Sequence, residues 1–484
     1  MSEPFDENHK GENLNNTGIY DFDDKYKEIK YNDDIAGILK TANRESERSR
    51  ALAAQRRKAR KKRIITRLSI VIVAFLLVLT LVITGIVAAV RGIAGLFGGG
   101  KKDKPDIAQL VSSADLAAAG YDYDKAIDII QSYGEKYEKK KELKAAILKY
   151  EDGKAKLVKF EDNTKIPHIS FRTLVYDTSK AFDKDESADK YDRNMVTVTE
   201  FSKMLDSLYS RGYVLVDLND IAKSSSDGFE FCDIYLPEGK KPLVLSQEDV
   251  SYYTSLKGDG FASKIVIGED GLPACEYTDE NGTVTTGAFD LVPILEGFIN
   301  KHPDFSYQGA RATLAVTGYD GVLGYRTNPN GEGYQEGDIE KAKTVANRLK
   351  ELGYTFASNS WAYTSYANNS LERLKTDADR WETEVEPIVG STNILIYAGG
   401  TDIVKSGEYK EDNEKFKYLK TKGFNIFCPA NSNQSSVTMG NDYLRQGRRV
   451  IGGNELYYSA DKLEDLFDVS KILDIARPTS NRVS

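Results

Sequence analysis

The chain has 484 residues, 40% hydrophobic and 29% charged, which excludes one ordinary domain and allows two or three. A formal net charge of -8 excludes a non-specific nucleic-acid binder, because a phosphate backbone demands a cationic face. The three cysteines, Cys232, Cys275 and Cys428, are too few and too odd in number for a disulfide framework.

Residues 1–63 read as a tail. Its first part, 1–40, is acidic and weakly apolar without sustained periodicity, which predicts disorder. The sign then reverses, with Arg56, Arg57, Lys58, Arg60, Lys61, Lys62 and Arg63 packed together. Residues 68–90 carry no charge at all. About 23 residues at 1.5 Å rise span roughly 30 Å of hydrocarbon, so the expectation is a transmembrane helix over 64–91. Basic residues on its N-terminal side place the tail in the cytoplasm and everything that follows outside the plasma membrane.

Residues 92–104, with Gly98, Gly99, Gly100 and then lysines, predict a flexible linker. From 105 to 163 the apolar residues keep helical faces: Ile107, Leu110, Val111 and Ala114, then Tyr123, Ala126, Ile127 and Ile130, then Leu143, Ala146, Ile147 and Tyr150. A helical hairpin or small bundle serving as a stalk fits this. From 164 to 484 strands and helices alternate, which implies parallel pairing through crossover helices. Strands are expected near 166–175, 213–218, 241–245, 312–317, 354–357, 393–397 and 424–428. Helices are expected at 199–211, 289–302, 339–352, about 371–385 and near Tyr418. Their count favours a closed or nearly closed barrel, and no Gly-x-Gly-x-x-Gly or Walker motif argues for a nucleotide fold. The Gly-rich insertion 257–286 reads as a flap of short hairpin strands around Asn281-Gly282.

Two stretches carry chemistry. The apolar strand that starts at Lys241 stops at adjacent carboxylates, Glu248 and Asp249, followed by Tyr252 and Tyr253. In α/β folds chemistry gathers where strand C-termini open into loops, and such a pair can supply a metal ligand and a general base. The second stretch, 353–363, is again a strand feeding a loop, with Asn359, Trp361 and Tyr363, and Tyr366 just beyond.

In order and spacing, residues 165–478 resemble the polysaccharide deacetylases, the NodB-type carbohydrate esterases. Residues 197–221 are similar to the family's first helix and following strand, and 243–250 stand where it carries Thr-Phe-Asp-Asp-Gly. Residues 312–317 match its Ala-Thr-Phe-Phe strand, 358–363 lie over Ser-His-Thr-x-x-His, and 396–400 lie over the Tyr-Pro-Tyr-Gly strand end. The resemblance implies an α/β fold, a distorted (β/α) barrel holding a divalent metal by one Asp and two His. The metal would polarise an acetamide carbonyl and activate water, with the other Asp as base, a backbone N–H at the oxyanion and a later His as acid. Carried over, Glu248 takes the base position, Asp249 a metal position, and Asn359 and Tyr363 the two histidine positions. Gly399 takes the oxyanion position behind Ala398, and Arg172 stands where the opening strand commonly carries a histidine.

The chain departs from that pattern. An amide and a phenol replace two imidazoles, whereas zinc prefers N and S donors, and no histidine follows His302. Glu248 also moves its carboxylate by about one methylene, and a shift of about 1 Å can cost a hundredfold in rate. The expectation is a membrane-anchored, extracellular, catalytically degenerate deacetylase-like protein without a cofactor. It would bind cell-wall glycan or an envelope protein, with Tyr252, Tyr253, Trp361 and Tyr366 as sugar platforms. The alternative is an active zinc- or other metal-dependent N- or O-deacetylase that recruits a further ligand such as Asp320 or Asp402. A pure scaffold is the third reading.

Overall fold

The computed structural model describes residues 106–226, 228–431 and 436–478. The expected tail, membrane span and linker lie outside them, and among the described residues no helix is long and apolar enough to cross a membrane.

Three helices come first, α1 (Ile107–Ala119), α2 (Tyr123–Gln131) and α3 (Lys141–Ala155). Asp106 and Asp122 cap the first two by accepting from Ala108 N and Lys125 N. Leu110, Ala114, Ala126, Ile130, Leu143 and Tyr150 meet in a core of their own. The bundle is tied to the α/β part at the α1–α2 turn. There Tyr121 is buried with Leu218, Ile221 and Tyr307, and its hydroxyl donates to Asp304 O at 2.9 Å. Gln308 N donates to Gly120 O at 2.7 Å.

The rest is mixed α/β. The central sheet contains β1 (His168–Phe171), β2 (Tyr213–Leu215), β3 (Lys241–Gln247), β4 (Thr313–Val316) and β5 (Thr355–Ser358). It continues with β6 (Ile394–Ile396), β7 (Ile426–Cys428), β8 (Ser436–Met439), β9 (Leu444–Gly447) and β10 (Arg449–Val450). The strand order is β8-β9-β7-β6-β5-β4-β3-β1-β10, with β2 also on β3. Only β8 and β9 pair antiparallel among these. β9 and β10 form one segment interrupted at Arg448. Its first half pairs with β7 (Leu444 opposite Ile426), and its second half with β1 (Arg449 opposite Ile169). The sheet therefore curls round until both ends meet on residues 444–450.

Period-two alternation divides the strands between two cores. Ile169, Phe171, Leu215, Leu245, Leu314 and Phe356 face outward, under helices α4 (Val198–Ser210), α5 (Leu291–Lys301) and α6 (Asp338–Leu352). Phe201, Met204, Leu205 and Leu208 give α4 its buried stripe, each side chain contributing about 1.5–3 kcal/mol, and a Thr197–Glu200 capping box starts it. Val244, Ala315, Ala357, Ile396, Cys428 and Leu444 face inward. Helices α7 (Leu371–Glu384) and α8 (Glu414–Thr421) complete the wrap. The expected flap is a three-stranded antiparallel sheet, Lys264–Ile267, Pro273–Thr278 and Val284–Gly287, with Gly282 at φ +78° in its turn.

Segment 444–450 escapes the periodicity. Arg445, Gln446, Arg448 and Arg449 give it a surface-like composition, yet Gln446, Arg448 and Arg449 are buried in the structure.

Candidate functional site

The C-terminal ends of β1, β3 and β5 bring Arg172, Glu248, Asp249, Asn359 and Tyr363 together. Glu248 is buried, and Arg448 reaches it across the curled sheet. Its Nη1 lies 3.1 Å from Glu248 Oε1 and its Nη2 lies 3.4 Å from Oε2. Tyr363 donates its hydroxyl to Glu248 Oε2 at 3.2 Å and accepts from Arg172 Nη2 at 3.2 Å. Arg172 Nε stands 3.9 Å from Glu248 Oε1. Burial pushes the Glu248 carboxyl up, but the Arg448 and Arg172 charges and the hydrogen bonds from Arg448 and Tyr363 outweigh it and hold the group below its usual range. Arg448 is itself fixed by Ser170 Oγ (3.2 Å), Cys428 O (3.2 Å) and Tyr397 O (2.8 Å).

Asp249 is half-buried and differs from its neighbour. Tyr253 donates to its Oδ1 at 3.2 Å, and the Tyr253 hydroxyl also lies 3.1 Å from Thr317 Oγ1. Burial pushes the Asp249 carboxyl up to about 7, Arg172 opposes that shift, and the Glu248 charge adds to it. Asn359 is buried. Its Nδ2 donates to Ile396 O at 2.9 Å, and its Oδ1 accepts from Asp249 N at 3.4 Å. Gly399 lies at the end of β6 with φ +66°, exposed between buried neighbours and with open space beside its Cα.

Two buried aspartates shape the loops that carry these groups. Asp290 accepts from Leu174 N (2.9 Å), Gln247 Nε2 (2.9 Å) and Tyr252 Oη (2.7 Å), so it holds both sides of the Glu248–Asp249 turn. Asp377 accepts from Trp361 N (2.6 Å), Ala362 N (3.0 Å), Thr364 Oγ1 (2.6 Å) and Tyr366 Oη (2.9 Å). Four of the eight non-glycine residues with positive φ among the described residues lie on these two loops: Asp249, Tyr252, Ser360 and Tyr363. Strained backbone held by its surroundings gathers where side chains must be aimed.

This geometry corrects part of the sugar-platform expectation. Tyr252 is 1% exposed and spends its hydroxyl on Asp290, and Tyr366 is 2% exposed and spends its hydroxyl on Asp377. Both are core residues. Trp361 is covered on one face by the Arg380 guanidinium, 3.3 Å from the ring centroid, and its Nε1 donates to Glu384 at 2.8 Å. Tyr253 alone of the four turns toward the carboxylates.

The donor set does not fit a divalent cation. Asn359 already has both ends of its amide engaged. Burial, with Glu248 and Asp249 nearby, pushes the Tyr363 phenol well above its ordinary range, so it stays protonated and donates. Glu248 is neutralised by guanidinium. Asp320 pairs with Arg326 at 2.9 Å and Asp402 with Arg445 at 2.6 Å, so neither completes a set around Asp249. Among the described residues no group of three His, Cys, Asp or Glu is arranged to hold a metal. His168 is buried below this layer. One ring nitrogen lies 2.7 Å from Ser246 Oγ, and burial, aided by Arg448, keeps the ring neutral.

No protein-family model and no curated protein matches the chain. Among solved structures it is similar to the Streptococcus pyogenes deacetylase PplD in complex with acetate. That likeness has 12% identity and a TM-score of 0.34, and covers 62% of this chain and 94% of the other. At that overlap it decides neither fold nor function.

The residue that sequence reasoning missed is Arg448, 200 positions from its partner Glu248. The available signal was a cationic residue inside the short run Arg448-Arg449-Val450-Ile451-Gly452, which ends in apolar residues and glycine as strand exits do.

Proposed function

We propose that the chain is a membrane-anchored, outward-facing protein of the polysaccharide deacetylase type. It acts in cell-envelope carbohydrate metabolism by binding glycan at the mouth of its curled sheet, without hydrolysing it. The observation that carries the reading is Glu248. The carboxylate at the base position is buried, accepts from Arg448 and Tyr363, faces Arg172 at 3.9 Å and is held below its usual range, so it has little tendency to take a proton. Beside it the half-buried Asp249 and Tyr253 and the exposed Gly399 remain for hydrogen bonds to hydroxyl and acetamido groups.

Elemental analysis of the purified full chain after dialysis against zinc tests this, together with acetate release from an acetylated cell-wall glycan. The expected outcome is neither stoichiometric zinc nor acetate. Near-stoichiometric zinc that disappears in Asp249→Ala, accompanied by acetate release, would overturn the reading in favour of an active deacetylase. One feature favours that alternative: Asp249 is partly exposed, and burial pushes its carboxyl up to about 7.

A further inference from the structure

We infer that the cavity beside the exit of β10 is a subsite for one neutral sugar residue of the bound glycan. The inference rests on the glycan-binding reading and adds a second place of contact to it. The cavity holds about 240 Å³ and is lined by Ala430, past the end of β7, and by Glu455, Ser459 and Lys462, past the end of β10. Sites for drug-sized ligands run from roughly 300 to 1,000 Å³, so this one takes a single ring.

Its position ties it to the mouth of the sheet. Ala430 N donates to Gly400 O at 2.8 Å, next to the exposed Gly399. A Cβ at Gly400 would stand 2.4 Å from Ala430 Cβ, so only glycine lets the ends of β6 and β7 meet this closely. Ala430 also pairs in parallel with Arg448, whose guanidinium reaches Glu248. An oligosaccharide that passes Gly399 therefore meets this cavity next.

The lining matches a ligand rich in hydroxyls. Glu455, in the first turn of α9 (Gly453–Tyr458), is half-buried, accepts from Gly452 N at 3.0 Å and forms no ion pair among the described residues. Burial pushes its carboxyl up, opposed by backbone N–H groups and the Arg172 charge. Neither Ser459 Oγ nor Lys462 Nζ has a hydrogen-bond or ion-pair partner among the described residues. Val450, Ile451 and Leu463 supply apolar surface between them. A pyranose carries hydroxyls around a C–H surface and meets both kinds of group. The arginines in the lining are already neutralised, Arg448 by Glu248 at 3.1 Å and Arg449 by Asp465 at 2.9 Å. The Glu455 and Lys462 charges offset each other, which favours a neutral ligand over an ion. Arg449 also donates to Lys462 O at 2.9 Å, so the wall is held before a ligand arrives and binding forfeits little freedom.

Calorimetric titration of the full chain with a β-1,4-linked N-acetylglucosamine hexamer tests this, with urea midpoints showing that each variant folds. Ser459→Trp, which fills the cavity, is expected to weaken binding at least about tenfold. Glu455→Gln keeps an acceptor for Gly452 N but loses the charge, and is expected to weaken binding about tenfold. Lys462→Ala changes an exposed side chain, so its fold is not at stake, and a loss of about threefold is expected. Affinities within about 1.5-fold of the native chain in both Glu455→Gln and Lys462→Ala overturn the subsite and leave the glycan-binding reading standing. A native chain that does not bind the hexamer overturns both.

Discussion

The buried arginine–carboxylate clusters around Arg477 and Arg448 differ in how completely their charges are satisfied. Near the C-terminus, Arg477 donates to Glu200 Oε1 at 2.6 Å, to Glu200 Oε2 at 2.8 Å and to Asp192 Oδ1 at 2.8 Å. Thr197 N, Asp474 N and Tyr457 Oη supply further donors at 2.8, 3.0 and 2.7 Å to the same carboxylates. At the mouth of the sheet, Glu248 receives longer contacts of 3.1, 3.2 and 3.4 Å and sits beside a second carboxylate that is partly exposed. The first cluster is a saturated clasp that ties the C-terminal segment to the start of α4. The second has looser contacts and positive-φ residues on its loops.

Breaking the clasp should have the largest effect. Arg477→Met leaves Glu200 and Asp192 buried without their cation and is expected to destabilise the chain by about 3–5 kcal/mol, measured by urea unfolding at pH 7. A loss below about 1 kcal/mol would mean that the tight geometry is not where the stability lies.

Arg448→Met should cost less, about 3 kcal/mol at pH 7, because Arg172 and Tyr363 still face Glu248. Its pH dependence sharpens the contrast. Glu248 in the native fold sits below its ordinary 4.5, so its stabilising contribution is present above that pH and is lost as pH falls through the native value. Without Arg448, burial pushes the group up instead. The deficit of the variant should therefore shrink as pH drops from 7 toward 4.5. A deficit independent of pH would count against the pairing.

The smallest effect belongs to Asp249→Asn. The native carboxyl is raised from an ordinary 3.8 to about 7, so its ionisation disfavours the folded state and stability falls as pH climbs through that window. The amide removes this slope, reduced in amplitude by the partial exposure of Asp249, and urea midpoints across the same pH range report it. An identical slope in both proteins would show that Asp249 is solvated like any surface carboxylate.

Much of the architecture was legible because its signals are local. The Thr197-x-x-Glu200 box and the spacing of Phe201, Met204, Leu205 and Leu208 mark α4 within a dozen residues. The apolar run from Pro242 to Leu245 that ends at Glu248 and Asp249 marks a strand tip with a carboxylate pair. Helix and strand periods are written in neighbours, and the meeting of Glu248, Asp249, Asn359 and Tyr363 follows once parallel strands are set side by side.

Tertiary structure alone decided what those residues can do. Segment 444–450 closes the sheet with arginines and a glutamine whose composition suggests a surface, and only that closure brings Arg448 to Glu248. Burial divided the tyrosines: the hydroxyls of Tyr252 and Tyr366 were claimed by Asp290 and Asp377, while Tyr253 turned toward Asp249. The physical reason is the same in each case. Charge neutralisation and solvent exposure depend on groups brought together from distant parts of the chain, whereas periodicity and capping depend only on the next few residues.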